Sequence, residues 1–161
     1  MAQIRRINIS NISAQCNNMN LPVLISGMPD HPIEDVVLSN IRIVYPGGGT
    51  AEQAARVPPE RENQNYPEPS RLGPLPASGF FVRHVKNIEM HHIDVTYQAA
   101  DARPAVVLTD VAGADFQHMN IQRFDNIGYF QLNNVSDFAT QYVRSIADTK
   151  RDKAETELIS K

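Results

Sequence analysis

The amino-acid sequence predicts an all-β fold: a right-handed parallel β-helix of about five coils, interrupted by one long Pro-rich insertion. Three observations predict it. One spacing of apolar residues recurs five times, a short strand-like run precedes the later copies at a fixed distance, and the period of about 25 residues signals a solenoid. The copies are too β-branched and too poor in helix formers for a helical repeat, and no LxxLxLxxN pattern marks them as leucine-rich.

The template is clearest in GFFVRHVKNIEMHHIDVTY, residues 79–97. Counted from Val85, Ile88 is at +3, Met90 at +5, His92 at +7, Ile93 at +8 and Val95 at +10. This is neither the 3.6 period of a helix nor one clean alternation. It reads as two short strands with a corner at His92, where alternation slips by one residue. The same spacing starts at Ile4, Ile33, Val111 and, most weakly, Val135. Steps of 29, 52, 26 and 24 residues follow, the longest being one step plus an insertion.

In chain order, Ile4 opens the first copy, so MAQIRRINIS does not read as a signal peptide. That copy leaves no room for an N-terminal cap, and self-association through its uncovered edge, or pairing with upstream β-helix coils, is expected. VLI at 23–25 is the leading strand of the second coil, matching GFFV at 79–82, AVVL at 105–108 and YFQL at 129–132. Pro46 to Ser78 is the insertion, with seven of the eleven prolines, so an ordered arm is favoured over a loose linker. Within it, TAEQAAR at 50–56 predicts a short helix with a capping box, Thr50 and Gln53, stopped by Pro58 and Pro59. Gly47, Gly48 and Gly49 read as a flexible turn, since no Gly-Lys-Ser/Thr follows to make a phosphate loop. One β-helix domain is expected over 1–146, with 147–161 a polar C-terminal tail or short amphipathic helix.

Composition sets loose bounds. With 161 residues the chain is long enough for one real core, and a net charge of -3 gives no reason to expect nucleic acid. No apolar run approaches the roughly 18 residues of a membrane span. Cys16 is the single cysteine, read as a half-buried free thiol.

HPIEDVVLSNIRIVYPGGGT, YPEP and LGPLPASGFFVRHVKNI resemble the C-terminal coils of polygalacturonase-type enzymes, family 28 of the glycoside hydrolases. The resemblance covers roughly residues 4–122, and is most specific in YPGGGT and in the LPA-G-F-VRHV segment. It implies a pectin-lyase-like solenoid, inverting hydrolysis of pectic polysaccharide or oligosaccharide without a cofactor, and a secreted or periplasmic full-length protein. The family's catalytic signature of Asn-x-Asp, Asp-Asp, Gly-His-Gly and Arg-x-Lys reads as absent: there is no NTD, DD, GHG or RIK, and Arg42-Ile43 is followed by Val44. Inversion needs two carboxyl groups about 6.5–9.5 Å apart. No catalytic residue is therefore carried over, and the chain alone is expected to be inactive.

Five residues remain as substrate-binding candidates. Tyr66 offers a ring for stacking on a sugar, and Glu68 and Arg71 offer bonds to hydroxyls or a uronate carboxylate. Arg83 and His84 lie in the turn after GFFV, which is expected to face a groove. Their alternative reading is structural, as polar residues that hold a loop or a corner. His91 and His92 suggest a metal, but neighbours on a strand point to opposite faces, so no metal site is expected. His92 and His118 instead share a template position with Asn11 and Asn40, and a ladder along that corner, bonded to unpaired backbone groups, is expected. Two function classes follow: part of a pectin-type glycosidase, or a non-catalytic β-helix module for carbohydrate binding or assembly. A polysaccharide lyase fits less well, because no carboxylate cluster for calcium is visible.

Overall fold

The computed structural model describes residues 3–60 and 69–160. Their regular structure is nearly all strand: β1 (Arg5–Gln15), β2 (Val23–Ser26), β3 (Ile33–Tyr45), β4 (Phe80–Tyr97), β5 (Val106–Ile121), β6 (Phe130–Gln141) and β7 (Thr149–Ile159). The remainder comprises α1 (Ala51–Ala54) and a 3-10 turn at Pro69–Leu72. The strands form one sheet ordered β1-β3-β4-β5-β6-β7, with β2 alongside β4. Every pairing is parallel except the last, between β6 and β7.

The register follows the sequence repeat. Ile33 faces Val85, Val85 faces Val111 and Val111 faces Val135, so the template starts lie side by side. The leading runs align as well: Val23, Phe80, Val106 and Phe130 are successive partners. A one-residue slip would turn every inward side chain outward, which is why the apolar pattern sets this register so firmly.

Each long strand is bent by single residues in the left-handed region, and these fall at three fixed places in the repeat. His84, Asp110 and Asn134 stand just before a template start; Arg6, Asp35, Asn87, Gly113 and Asp137 stand two residues after one. Asn11, Asn40, His92, His118 and Tyr142 stand seven after. Asn, Asp and His tolerate this conformation better than most residues, because their short polar side chains bond locally. Gly113 meets a second demand, since a Cβ there would sit 2.7 Å from Asn87 Oδ1.

The expected ladder is present at the third of these corners, with different partners. Asn40 Nδ2 donates to Asn11 Oδ1 at 2.6 Å, and the His92, His118 and Tyr142 rings stack at 5.0 Å steps. The contacts thus run from side chain to side chain between layers, where backbone partners were expected. His118 and Tyr142 stack nearly parallel, at 8°, whereas His92 is tilted 30° from His118.

Inward residues from every layer join one core cluster. Val36, Ile88, Ala114 and Phe138 form one row, and Ile41, Ile93, Met119 and Val143 another. Phe116 stacks on Phe130 at 5.3 Å and meets Phe138 edge-on at 5.9 Å, all three with no exposure. Burying such a ring contributes about 1.5–3 kcal/mol.

The insertion is an ordered arm where it is described. Thr50 and Gln53 make the capping box, Thr50 Oγ1 accepting from Gln53 N and Gln53 Oε1 from Thr50 N, although the helix has only four residues. Further on, Leu72, Leu75 and Ala77 cover the outward side chains of Leu24, Phe81 and Val107 in a second apolar cluster. The glycine run is a fitted turn rather than a flexible one: Gly47 has φ 72°, and a Cβ on it would lie 2.0 Å from the Ala99 carbonyl oxygen. A buried pair then fastens turn to arm. Arg103 donates twice to Asp101 and also to the Leu75 carbonyl, while Asp101 accepts from Gly49 N. Burial opposes ionisation of Asp101, but the bonds from Arg103 and Gly49 outweigh it and hold the carboxyl below its usual range.

The C-terminal segment corrects an expectation. Residues 149–159 are neither tail nor short helix but the antiparallel strand β7, paired along β6 from Thr140 to Phe130. Its sequence hides this, because polar residues occupy most positions that turn toward the sheet, Thr149, Arg151 and Glu157 with Ala154 and Ile159. The tertiary partner, not an apolar period, makes it a strand.

Candidate functional site

Four ionisable groups, Arg83, His84, Glu60 and Asp110, meet where the described part of the arm reaches the first corner. Arg83 ends the first segment of β4 and His84 is the left-handed residue that follows. Both are buried, at 4% and 6% exposure, and His84 lies at the wall of an open hollow of about 220 Å³ with Lys86, Asp110 and Asn134. Arg83 Nη1 donates to the carbonyls of Pro58 and Pro59 at 3.1 and 3.4 Å and lies 3.1 Å from Glu60 Oε1; its Nε donates to Ser26 Oγ. The guanidinium plane rests over Phe81, 5.8 Å from the ring centre.

His84 lies between two carboxylates from different parts of the chain. Its Nε2 is 3.1 Å from Glu60 Oε1 and its Nδ1 is 3.0 Å from Asp110 Oδ2. Asn134 Nδ2, one layer further, donates to the other oxygen of Asp110. Each imidazole nitrogen thus has a carboxylate oxygen as its hydrogen-bond partner. The Glu60 and Asp110 side chains are each about two-fifths exposed, while the imidazole between them is almost covered.

Among the five candidates, the structure therefore joins Arg83 and His84. Arg71 is exposed in the 3-10 turn at the arm's far end. Tyr66 and Glu68 lie outside the described residues. Glu60 and Asp110 were not singled out from sequence. Asp110 had a signal, since it shares its repeat position with His84 and Asn134, but Glu60 arrives from 24 residues away and nothing in its neighbourhood announces the contact.

Two sequence arguments need correcting. His91 and His92 do not diverge: their Nδ1 atoms lie 3.3 Å apart, because the left-handed φ of His92 breaks the strand alternation. Even so, no group of three or more His, Cys, Asp or Glu among the described residues is placed to hold a metal ion. Arg151-Asp152-Lys153 does have Arg-x-Lys spacing, yet it lies on β7, where Arg151 pairs with Glu157 and Lys153 with Glu155. Cys16 is a half-exposed free thiol whose Sγ lies 3.3 Å from the Asn18 carbonyl oxygen. No helix among the described residues is long and apolar enough to cross a membrane.

Searches of protein-family models, curated proteins and solved structures found no match to this chain.

Proposed function

We propose that the strands are successive coils of a right-handed parallel β-helix, and that the chain is the C-terminal portion of a pectin-degrading glycosidase of the polygalacturonase type. In this reading it supplies coils and a substrate-side arm to a site whose catalytic acids lie in other coils. The motifs YPGGGT and LPASGFFVRHV carry the resemblance, and the repeat-matched register supports the architecture.

The observation that carries the division of labour is the clasp at Arg83 and His84. Their side-chain nitrogens are met by Pro58, Pro59, Glu60, Ser26 and Asp110, so these residues fix the arm against the coils. That favours positioning over chemistry. The same self-satisfied clasp also suits the second reading, a non-catalytic β-helix module for carbohydrate binding or assembly.

A reducing-end assay on polygalacturonate and rhamnogalacturonan tests the proposal. The chain alone is expected to release nothing, whereas a polypeptide that also carries the preceding coils is expected to hydrolyse one of the two polymers. Hydrolysis by the chain alone that Glu60→Gln abolishes would place an acid in the arm and refute the proposed division. If the longer polypeptide binds pectic oligomers but cleaves none, the module reading replaces the enzyme.

A further inference from the structure

At the far end of the sheet from β1 lies an open groove of about 990 Å³, formed by the turn at 123–127, the turn at Ser145 and the strand β7. It is at the upper end of the range for small-molecule sites, about 300–1,000 Å³. Two arginines and two acids, Asp125 and Glu157, line it, and the arginines differ. Arg151 is committed to Glu157, with Nε 2.9 and 3.0 Å from its two oxygens and Nη2 2.7 Å from Oε1. Arg123 makes one hydrogen bond, from Nη1 to the Ser145 carbonyl at 2.9 Å, and its Nε is buried without a partner. Among the described residues, Arg123 thus meets no carboxylate.

A partly sheltered guanidinium without an acid beside it is costly unless something meets it. With Nε buried and Nη1 held by Ser145, the Nη1 and Nη2 edge is the one left to match a carboxylate's two oxygens. Close by, Leu158 is 49% exposed and, with Phe124, gives the groove an apolar side. Phe124 is held in place by Tyr97, ring centres 5.7 Å apart. A charged fork beside an apolar strip fits a ligand with a carboxylate at one edge and a C–H face at the other, which is the chemistry of a uronate sugar.

We propose that this groove is a uronate-binding site, with Arg123 as its carboxylate anchor and Leu158 and Phe124 under the sugar ring. The choice of a pectic uronate as probe rests on the function proposed above. The site shares no residue with the Arg83 and His84 clasp.

Titration of the full chain with trigalacturonate, followed by calorimetry and by amide shifts in NMR spectra, tests the site. Binding is expected to move amides at 123–127 and 157–159, and galactotriose, which lacks carboxylates, is expected to bind at least tenfold more weakly. Arg123→Gln should weaken trigalacturonate at least tenfold with the melting temperature unchanged, and Arg123→Lys should lose less, because it keeps the charge without the fork. No binding, equal binding of the neutral trisaccharide, or full affinity in Arg123→Gln would overturn the site. Its failure is separable from that of the enzyme reading. Hydrolysis by the longer polypeptide without groove binding removes the site alone, whereas groove binding without hydrolysis removes the enzyme and leaves a uronate site standing.

Discussion

The two ends of the sheet are finished in opposite ways. At the β1 end, Ile9 and Ile12 are about 40% exposed, Ile4 more so, and the strand has a parallel partner on one side only. At the β7 end the last parallel layer is sealed: Phe130, Leu132, Val135 and Phe138 have at most 1% exposure. The sealing strand runs antiparallel and carries Lys150, Arg151, Asp152, Lys153, Glu155 and Glu157, a charged edge that discourages further strand addition. An apolar, parallel edge is suited to receive another strand, and a charged, reversed edge discourages one.

The contrast can be broken or sharpened by substitution. Phe138→Ala, beneath β7, is expected to cost about 3–5 kcal/mol in chemical unfolding, as emptied core rings do. A loss below about 1 kcal/mol would mean that β7 does not close the core. Asp101→Asn, which fastens the arm midway between the ends, is expected to cost about 3 kcal/mol, at the low end for a broken buried pair because the amide oxygen still accepts from Gly49 or Arg103.

The same carboxyl gives a pH signature. Its folded value is depressed, so its contribution is complete above the ordinary aspartate value of about 4 and is lost as pH falls through the lower folded value. Melting temperature should therefore drop at acid pH in the native chain, and less steeply in Asp101→Asn. Equal slopes would contradict that assignment.

At the open end, Ile9→Ala is expected to cost about 1 kcal/mol or less, because much of that side chain is already in water. The smallest effect belongs to the charged edge. Arg151→Gln, measured by thermal melting, should change stability by about 0.2–1 kcal/mol, the worth of an accessible ion pair. A loss several times larger would show that Arg151 packs as well as pairs.

What the sequence disclosed depended on whether a residue's role was set by its own repeat or by a distant partner. The template starts and leading runs were legible because inward apolar residues recur at fixed offsets, and they pair as the offsets require. The corner at Asn11, Asn40, His92 and His118 was legible for the same reason. The other two corner series carry mostly Asp, Asn and Gly at matching positions, a signal of left-handed tolerance that apolar spacing does not contain. β7 was illegible, since its strand state comes from β6 and its charged run suits a helix as well. The clasp was half legible: Arg83 and His84 stand out in the turn, but their burial follows from Pro58 to Glu60 folding back over them.

Sedimentation velocity over a hundredfold range of concentration tests the contrast between the ends most directly. The native chain is expected to self-associate as concentration rises, Ile9→Lys with Ile12→Lys to stay monomeric, and Leu158→Lys at the opposite end to associate as the native chain does. A native chain that remains monomeric throughout, or association lost in Leu158→Lys and kept in the doubly substituted chain, would contradict it.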